Sequence, residues 1–366
     1  MPVDFRELLG DVIKKSASDL HIRAGVPPVM RIEGQLHYLN ELGSLTEEEV
    51  EQIFQATLTR AQMEKYKNEN ELDFSFTYRG DYNTEVRFRG SLYFALRKMS
   101  GSFRLIPSDI RTIDEMGLPS ILKEVCQKRR GLFLVTGPTG HGKSTTLAAM
   151  IREINDTRDD HIITIEDPVE FVYTPNKCLI NQREIGVDTN NFAESLRRAM
   201  RQDPDVILLG ELRDLETIST AITASETGHL VLSTLHTQDA AQSIDRLIDV
   251  FPAQHQEHIR VQLALVLVGI CSQQLIPSTS EYGGGRICAT EILLANPAVK
   301  NCIREGKTNQ IKTLIQTGVN VGMHTMEQSL AVFVKNKILS LDAALTYAYD
   351  PKDLQRILLE QQAGGR

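Results

Sequence analysis

Residues 131–146 read Gly131-Leu-Phe-Leu-Val-Thr-Gly-Pro-Thr-Gly-His-Gly-Lys-Ser-Thr-Thr146, an apolar run followed by G-x-x-x-x-G-K-S. Leu132–Thr136 has the composition of a buried parallel strand, and Ser144 to about Asn155 that of a helix. Between them, Gly137, Gly140 and Gly142 permit a tight turn whose N–H groups converge on phosphate oxygens. Lys143 brings a compact positive charge to the β and γ phosphates, and the Ser144 hydroxyl can ligate Mg²⁺. The helix start adds the positive end of its dipole. Pro138, Thr139, His141 and Thr145 complete the candidate nucleotide-binding stretch. A purely structural glycine-rich turn is the bland alternative; a chance match would lack both the strand before it and the helix after it.

Outward from this loop, apolar strands (132–136, 162–166, 206–210, 230–234) alternate with helical segments (144–155, 191–201, 214–225, 239–249). That pattern predicts an α/β domain, a parallel sheet flanked by helices, with the loop at the edge where such sheets bind ligands. Residues 254–350 read as mostly helical, with a loop at Gly283–Gly285. Residues 1–100 mix types: a helix at Asp4–Lys15, strands at Leu20–Arg23, Val29–Glu33, Leu72–Tyr78 and Val86–Ala95, and a capped helix start at Thr46–Glu49. This predicts a small α+β domain over 1–100. A flexible break at Met99–Ser102 opens a linker over 101–112, and the catalytic domain follows over 113–366.

The chain has 366 residues, 41% of them hydrophobic and 24% charged, with a formal net charge of −8. These values suit a soluble globular protein of two or three domains and argue against direct nucleic-acid binding, which favours a basic face. The five cysteines form no C-x-x-C pair, which argues against a four-cysteine zinc site and for a reducing cytosol. The first residues carry no signal pattern. The longest apolar stretch, Val261–Cys271, is too short to cross a bilayer, so direct membrane insertion is not expected.

A hydrolase also needs carboxylates to hold Mg²⁺, often through water, and to orient an attacking water. Glu166 and Asp167 follow the strand Ile162–Ile165, and Glu211 follows Val206–Gly210, so these groups emerge at the sheet edge beside the loop. For Asp167 a solvent-facing or capping role stays equally open. His229 precedes and His236 follows the apolar strand Leu230–Thr234; for each, a γ-phosphate sensor and a structural histidine are both open readings.

Taken in order, GPTGHGKSTTLAAM, ITIEDPVEF, DPDVILLGELRDLET and ETGHLVLSTLHT resemble the secretion-ATPase superfamily, the hexameric motors of type II secretion, type IV secretion and type IV pili. Ala17–His21, Pro27–Arg31 and Pro297–Lys307 fit its pilus-retraction branch, and the resemblance runs from about Ser16 to Leu345. It implies a RecA-like P-loop core, a smaller N-terminal PAS-like α+β domain and a helical C-terminal region. By the same resemblance Glu166 polarises the attacking water, Glu211 supports Mg²⁺, and His229 senses the γ-phosphate, with His236 as a second candidate. Arg89 and Arg104, with Arg97 as a third, match arginines of the small domain that reach the phosphates when the two domains close on ATP. Ala298–Glu305, containing Ile303 and Arg304, is similar to a box linked to retraction; an amphipathic helix packed on its own domain is the bland reading.

The resemblance thus implies a cytoplasmic homo-hexameric ATPase, fuelled by ATP with Mg²⁺, peripheral at the inner membrane. It would act on a platform protein of the pilus machine to shorten the fibre and drive twitching motility. A longer N-terminal region and a zinc module, usual in extension and type II secretion ATPases, are not expected. An extension or secretion motor remains the alternative. A nucleic-acid translocase is disfavoured by the charge, and a nucleotide-gated scaffold by the intact Glu166 and Glu211.

Overall fold

Asp4 caps the first helix, α1 (Phe5–Lys14), by accepting the Arg6 N–H, and the helix turns Leu8, Leu9 and Val12 inward. Strands β1 (Asp19–Arg23), β2 (Val29–Ile32) and β3 (Gln35–Tyr38) follow. Helix α2 (Glu47–Thr57) opens with the capping box that Thr46 and Glu49 predict; α3 (Arg60–Glu69) has another, from Thr59 and Gln62. Then come β4 (Glu71–Arg79), β5 (Glu85–Ala95) and β6 (Lys98–Leu105). Among the described residues these strands form one antiparallel sheet, ordered β3-β2-β1-β6-β5-β4. Phe54 of α2 and Tyr66 of α3 share its core with Phe74, Phe88 and Phe103.

The structure is a computed structural model and describes residues 4–80, 85–107, 109–279 and 285–363. It divides into Met1–Asp109 with Pro168–Val172, and Ile110–Asp167 with Tyr173–Arg366. The flexible break expected at Met99–Ser102 is instead part of β6. Its small residues serve packing: a Cβ on Gly101 would meet Leu92 at 2.7 Å and Phe54 at 3.0 Å. Residues 101–105 of the expected linker are therefore strand, the division falls after Asp109, and Ser108 lies outside the described residues.

In the second unit, α4 (Ile121–Cys126) leads into β7 (Gly131–Thr136), α5 (Lys143–Thr157), β8 (His161–Glu166), β9 (Leu179–Glu184) and α6 (Phe192–Ala199). Next come β10 (Val206–Leu209), α7 (Leu215–Glu226), β11 (Leu230–Leu235), α8 (Ala240–Asp249), α9 (Ala253–Val266), β12 (Leu267–Pro277) and β13 (Arg286–Leu294). The chain ends in α10 (Pro297–Arg304), α11 (Ile311–Thr317), α12 (Met326–Lys335), α13 (Leu341–Tyr347) and α14 (Pro351–Ala363). The sheet order is β13-β12-β7-β11-β10-β8-β9, parallel except for β13 against β12. This is the expected α/β core with a helical C-terminal part. Every residue of β7 is buried, as its unbroken apolar run requires of a central parallel strand.

Residues 254–350 are largely helical, but they also hold β12 and β13, two strands that were not expected and that extend the sheet beyond β7. Helix α9 passes straight into β12 through Leu267, at φ −60° and ψ 124°. No proline marks that change of period, Gly269 comes only inside the strand, where the pairing with β7 shifts register, and the polar Ser272, Gln273 and Gln274 look unlike a strand core although all three are buried. Of the expected glycine loop, Gly283 and Gly284 lie outside the described residues. Among the described residues no helix is long and apolar enough to cross a membrane.

Candidate functional site

The loop between β7 and α5 has the backbone its glycines permit: φ is 141° at Gly137 and 81° at both Gly140 and Gly142. A Cβ on Gly137 would collide with the Gln273 carbonyl oxygen of β12, so the close approach of the two segments demands glycine there. Helix α5 starts from Gly142 in the left-handed conformation with no side-chain cap, whereas Asn191, Asp214 and Asp239 cap α6, α7 and α8. The first N–H groups of a helix have no intrahelical acceptor. Together with the helix dipole, an uncapped start of this kind fits an anion.

Lys143 is buried, and its Nζ donates to the Gly137 carbonyl at 2.8 Å and the Pro138 carbonyl at 3.0 Å. The same nitrogen lies 3.4 Å from Nδ1 of His236, the residue that follows β11. Thr139 Oγ1 approaches that Nδ1 at 3.5 Å, and Nε2 of the ring faces Glu211 Oε2 at 3.2 Å. Pairing with a carboxylate assigns Nε2 as the donor, which leaves Nδ1 as an acceptor toward Lys143 and Thr139. Glu211 also pairs with Arg213. Its position is fixed by the neighbouring strand: Thr234 donates to the Gly210 carbonyl at 2.6 Å, and the Leu212 N–H to the Thr234 carbonyl at 3.1 Å. Lys143, His236 and Glu211 thus form one continuous polar path across the C-terminal edge of the sheet.

Glu166 ends β8 at this same edge, one strand beyond β10. Its Oε1 accepts from Thr164 at 2.6 Å and from Gln182 of β9 at 3.3 Å. The β8 strand stands three spacings from β7, about 14 Å. Asp167 is exposed immediately after β8, while Ser144 and Thr145 are half-buried in the first turn of α5.

His229 stands elsewhere. It begins the segment that becomes β11, and its carbonyl accepts the Gly131 N–H at the start of β7. Six strand residues separate the two histidines, about 20 Å of rise. His229 therefore lies at the sheet edge opposite its own phosphate loop, where Nδ1 meets the Ala224 carbonyl of α7 at 2.9 Å. Of the two histidines, His236 is the one that stands beside the phosphate loop of its own chain. Accordingly, His236→Ala is expected to lower kcat for ATP about 10- to 100-fold. His229→Ala is expected to keep turnover within about threefold and to cost about 1 kcal/mol of stability. Steady-state phosphate release and thermal melts of the two variants check this.

Arg89 and Arg104 are direct cross-strand partners on β5 and β6, so they share a face of the first unit's sheet. Arg104 Nε is held at 2.8 Å from Asp19 Oδ1. Arg97 is not with them. It forms, with Leu96, the tight turn joining β5 to β6, both at positive φ (64° and 52°). Six rungs separate that turn from the Arg89–Arg104 rung, about 20 Å. In α10, Ile303 is fully buried beside Val299 and Cys302, whereas Arg304 is exposed. Both sides of the expected box are thus visible, a packed face and a free one. Two neighbours of the site escaped the sequence reading. Gln273 sat in a segment read as helix, and Arg213 follows Glu211 too closely to signal a separate role.

The family described as Type II/IV secretion system protein matches residues 95–341. The type IV pilus retractation ATPase PilT of Pseudomonas aeruginosa is 45% identical over 351 residues, 96% of this chain and 100% of that protein. A twitching motility protein of Neisseria gonorrhoeae is 45% identical over 327 residues, 89% of this chain and 86% of its own. A crystal structure of the pilus retraction motor PilT with bound ADP agrees with a TM-score of 0.89 at 42% identity, covering 97% of this chain and 99% of that one. With the phosphate loop, the Lys143–His236–Glu211 path and relatives matching over nearly its whole length, the chain belongs to the Type II/IV secretion system protein family and is an ATP-hydrolysing enzyme.

Proposed function

We propose that this chain spends ATP to retract a type IV pilus, as a six-chain ring at the cytoplasmic side of the inner membrane that works on a platform protein of the pilus machine. The observation that carries the reading is the path from Lys143 through His236 to Glu211. It occurs in a chain whose near-full-length relatives are named for retraction and twitching. The uncapped start of α5 suits a polyphosphate, and Lys143 suits its terminal groups. Ser144 and Glu211 suit Mg²⁺, the latter through water. When bound, the metal neutralises charge on the phosphates.

In this reading Glu166 polarises the attacking water, Glu211 supports the metal, and His236 registers the terminal phosphate. Arg89 and Arg104 lend guanidinium charge to the transferring phosphoryl group. The exposed Arg304 belongs to a retraction-specific surface that Ile303 anchors from beneath. Deleting the gene is expected to leave abundant pili on cells that no longer twitch, and a Lys143→Ala copy should not restore movement. Loss of pili on deletion would instead assign extension, and ATP turnover stimulated by DNA would assign a translocase.

A further inference from the structure

We propose that His141 is a positioning residue for the ATP reaction, its neutral imidazole serving as the hook by which β12 holds the phosphate loop in shape. The proposal rests on reading Gly137–Thr145 as the phosphate cradle. Within that loop His141 stands between two glycines at positive φ, and a Cβ on Gly140 would touch nothing within 4 Å. Local backbone preference and packing therefore do little to fix this part of the loop, and the restraint comes from the neighbouring strand.

Strand β12 pairs with β7 only as far as Ser272 opposite Thr136. Its next residues turn to the loop instead. Gln273 Nε2 donates to the His141 carbonyl at 2.6 Å, and the Gln273 carbonyl packs against Gly137. The Leu275 N–H donates to His141 Nδ1 at 3.1 Å. The imidazole thus replaces the strand partner that β7 no longer supplies, and it satisfies a backbone donor that would otherwise lose its acceptor. Main chain and side chain of one residue are gripped at once, two positions before Lys143.

An acceptor at Nδ1 requires the neutral ring with its proton on Nε2. Protonation converts Nδ1 into a donor aimed at a donor, and this grip is lost. The charged groups acting on the ring are Lys143 of α5 and Arg286 of β13, both cationic; the β12 groups facing it, Gln273 and the Leu275 N–H, are neutral. Burial first, then Lys143 and Arg286, hold the ring below its usual pKa of 6.5. The hook is therefore set at neutral pH and released as pH falls below that range. The same sign applies to folding, where this group's contribution diminishes as pH drops below its unfolded pKa.

The test uses the full chain and measures kcat/KM for ATP from pH 5.5 to 8. An acid limb alone assigns nothing; the variants do. Asn offers an acceptor oxygen near the place of Nδ1 but does not titrate. His141→Asn is expected to raise the ratio of kcat/KM at pH 5.5 to that at pH 8 over wild type, by less than the roughly tenfold that a ring of ordinary pKa would give. His141→Ala, which lacks any acceptor, is expected to raise KM for ATP several-fold at pH 8, with a smaller change in kcat, and to flatten the limb likewise. Thermal melts at both pH values establish that each variant is folded. Acid limbs of both folded variants that superpose on wild type overturn the hook while leaving the cradle standing. A wild-type chain that neither binds nor hydrolyses ATP at pH 8 overturns the cradle and the hook together.

Discussion

Replacing Lys143 with alanine is expected to lower ATP turnover by about 10³-fold or more and to weaken ATP binding as well. The ammonium is buried, so its desolvation has to be offset by partners, and in this structure the Gly137 and Pro138 carbonyls provide them. A polyphosphate offers far more negative charge at the same place. Without Lys143, those two carbonyls and His236 Nδ1, all electron-rich, would confront an anion with no cation among them. Arginine is not expected to rescue, because a planar guanidinium cannot reproduce the compact three-donor head that fits between the carbonyls. Phosphate release and equilibrium binding of a fluorescent ATP analogue measure both effects. Wild-type turnover in the alanine variant would take the loop out of the chemistry.

Glu211→Gln is expected to separate binding from hydrolysis. The amide keeps the volume and a hydrogen-bonding oxygen for His236 Nε2, but it removes the negative charge shared with Arg213. Charge is what a water-bridged metal requires of this side chain. The expected result is a fall in kcat of about 100-fold or more with ATP affinity held within about threefold, so that the enzyme fills with fuel and stalls. Direct binding measurements beside single-turnover hydrolysis check it. Unchanged kcat would move the essential carboxylate one strand along the sheet edge, to Glu166.

The phosphate loop was legible because its chemistry is written in backbone permission. Three glycines at fixed offsets, then Lys-Ser, leave few alternatives once a buried strand precedes them. The strands carrying Glu166 and Glu211 were equally plain, since Ile162–Ile165 and Val206–Leu209 are unbroken apolar runs that parallel packing demands. What could not be read depended on long-range placement. His229 and His236 look symmetrical in sequence, but a parallel sheet has two chemically different ends. Gly101 resembled a hinge because the reason for its missing side chain, Phe54 and Leu92, lies far off in sequence. Strand β12 was hidden by the polar residues that make it useful, for Gln273 is buried precisely where it grips the loop. Arg97 entered as a neighbour of two arginines, and only the strand register separates it from them.

The grip of β12 also bears on when the enzyme becomes competent during its own synthesis. Gln273 and Leu275 leave the ribosome well over a hundred residues after Gly137, and strand pairing across that interval is slow relative to local helix formation. A nascent chain ending before β12 would carry the whole Gly-Lys-Ser signature yet lack the wall against which it is shaped. Such a truncated chain is therefore expected to hold ATP more weakly than one that includes Gln273 and Leu275.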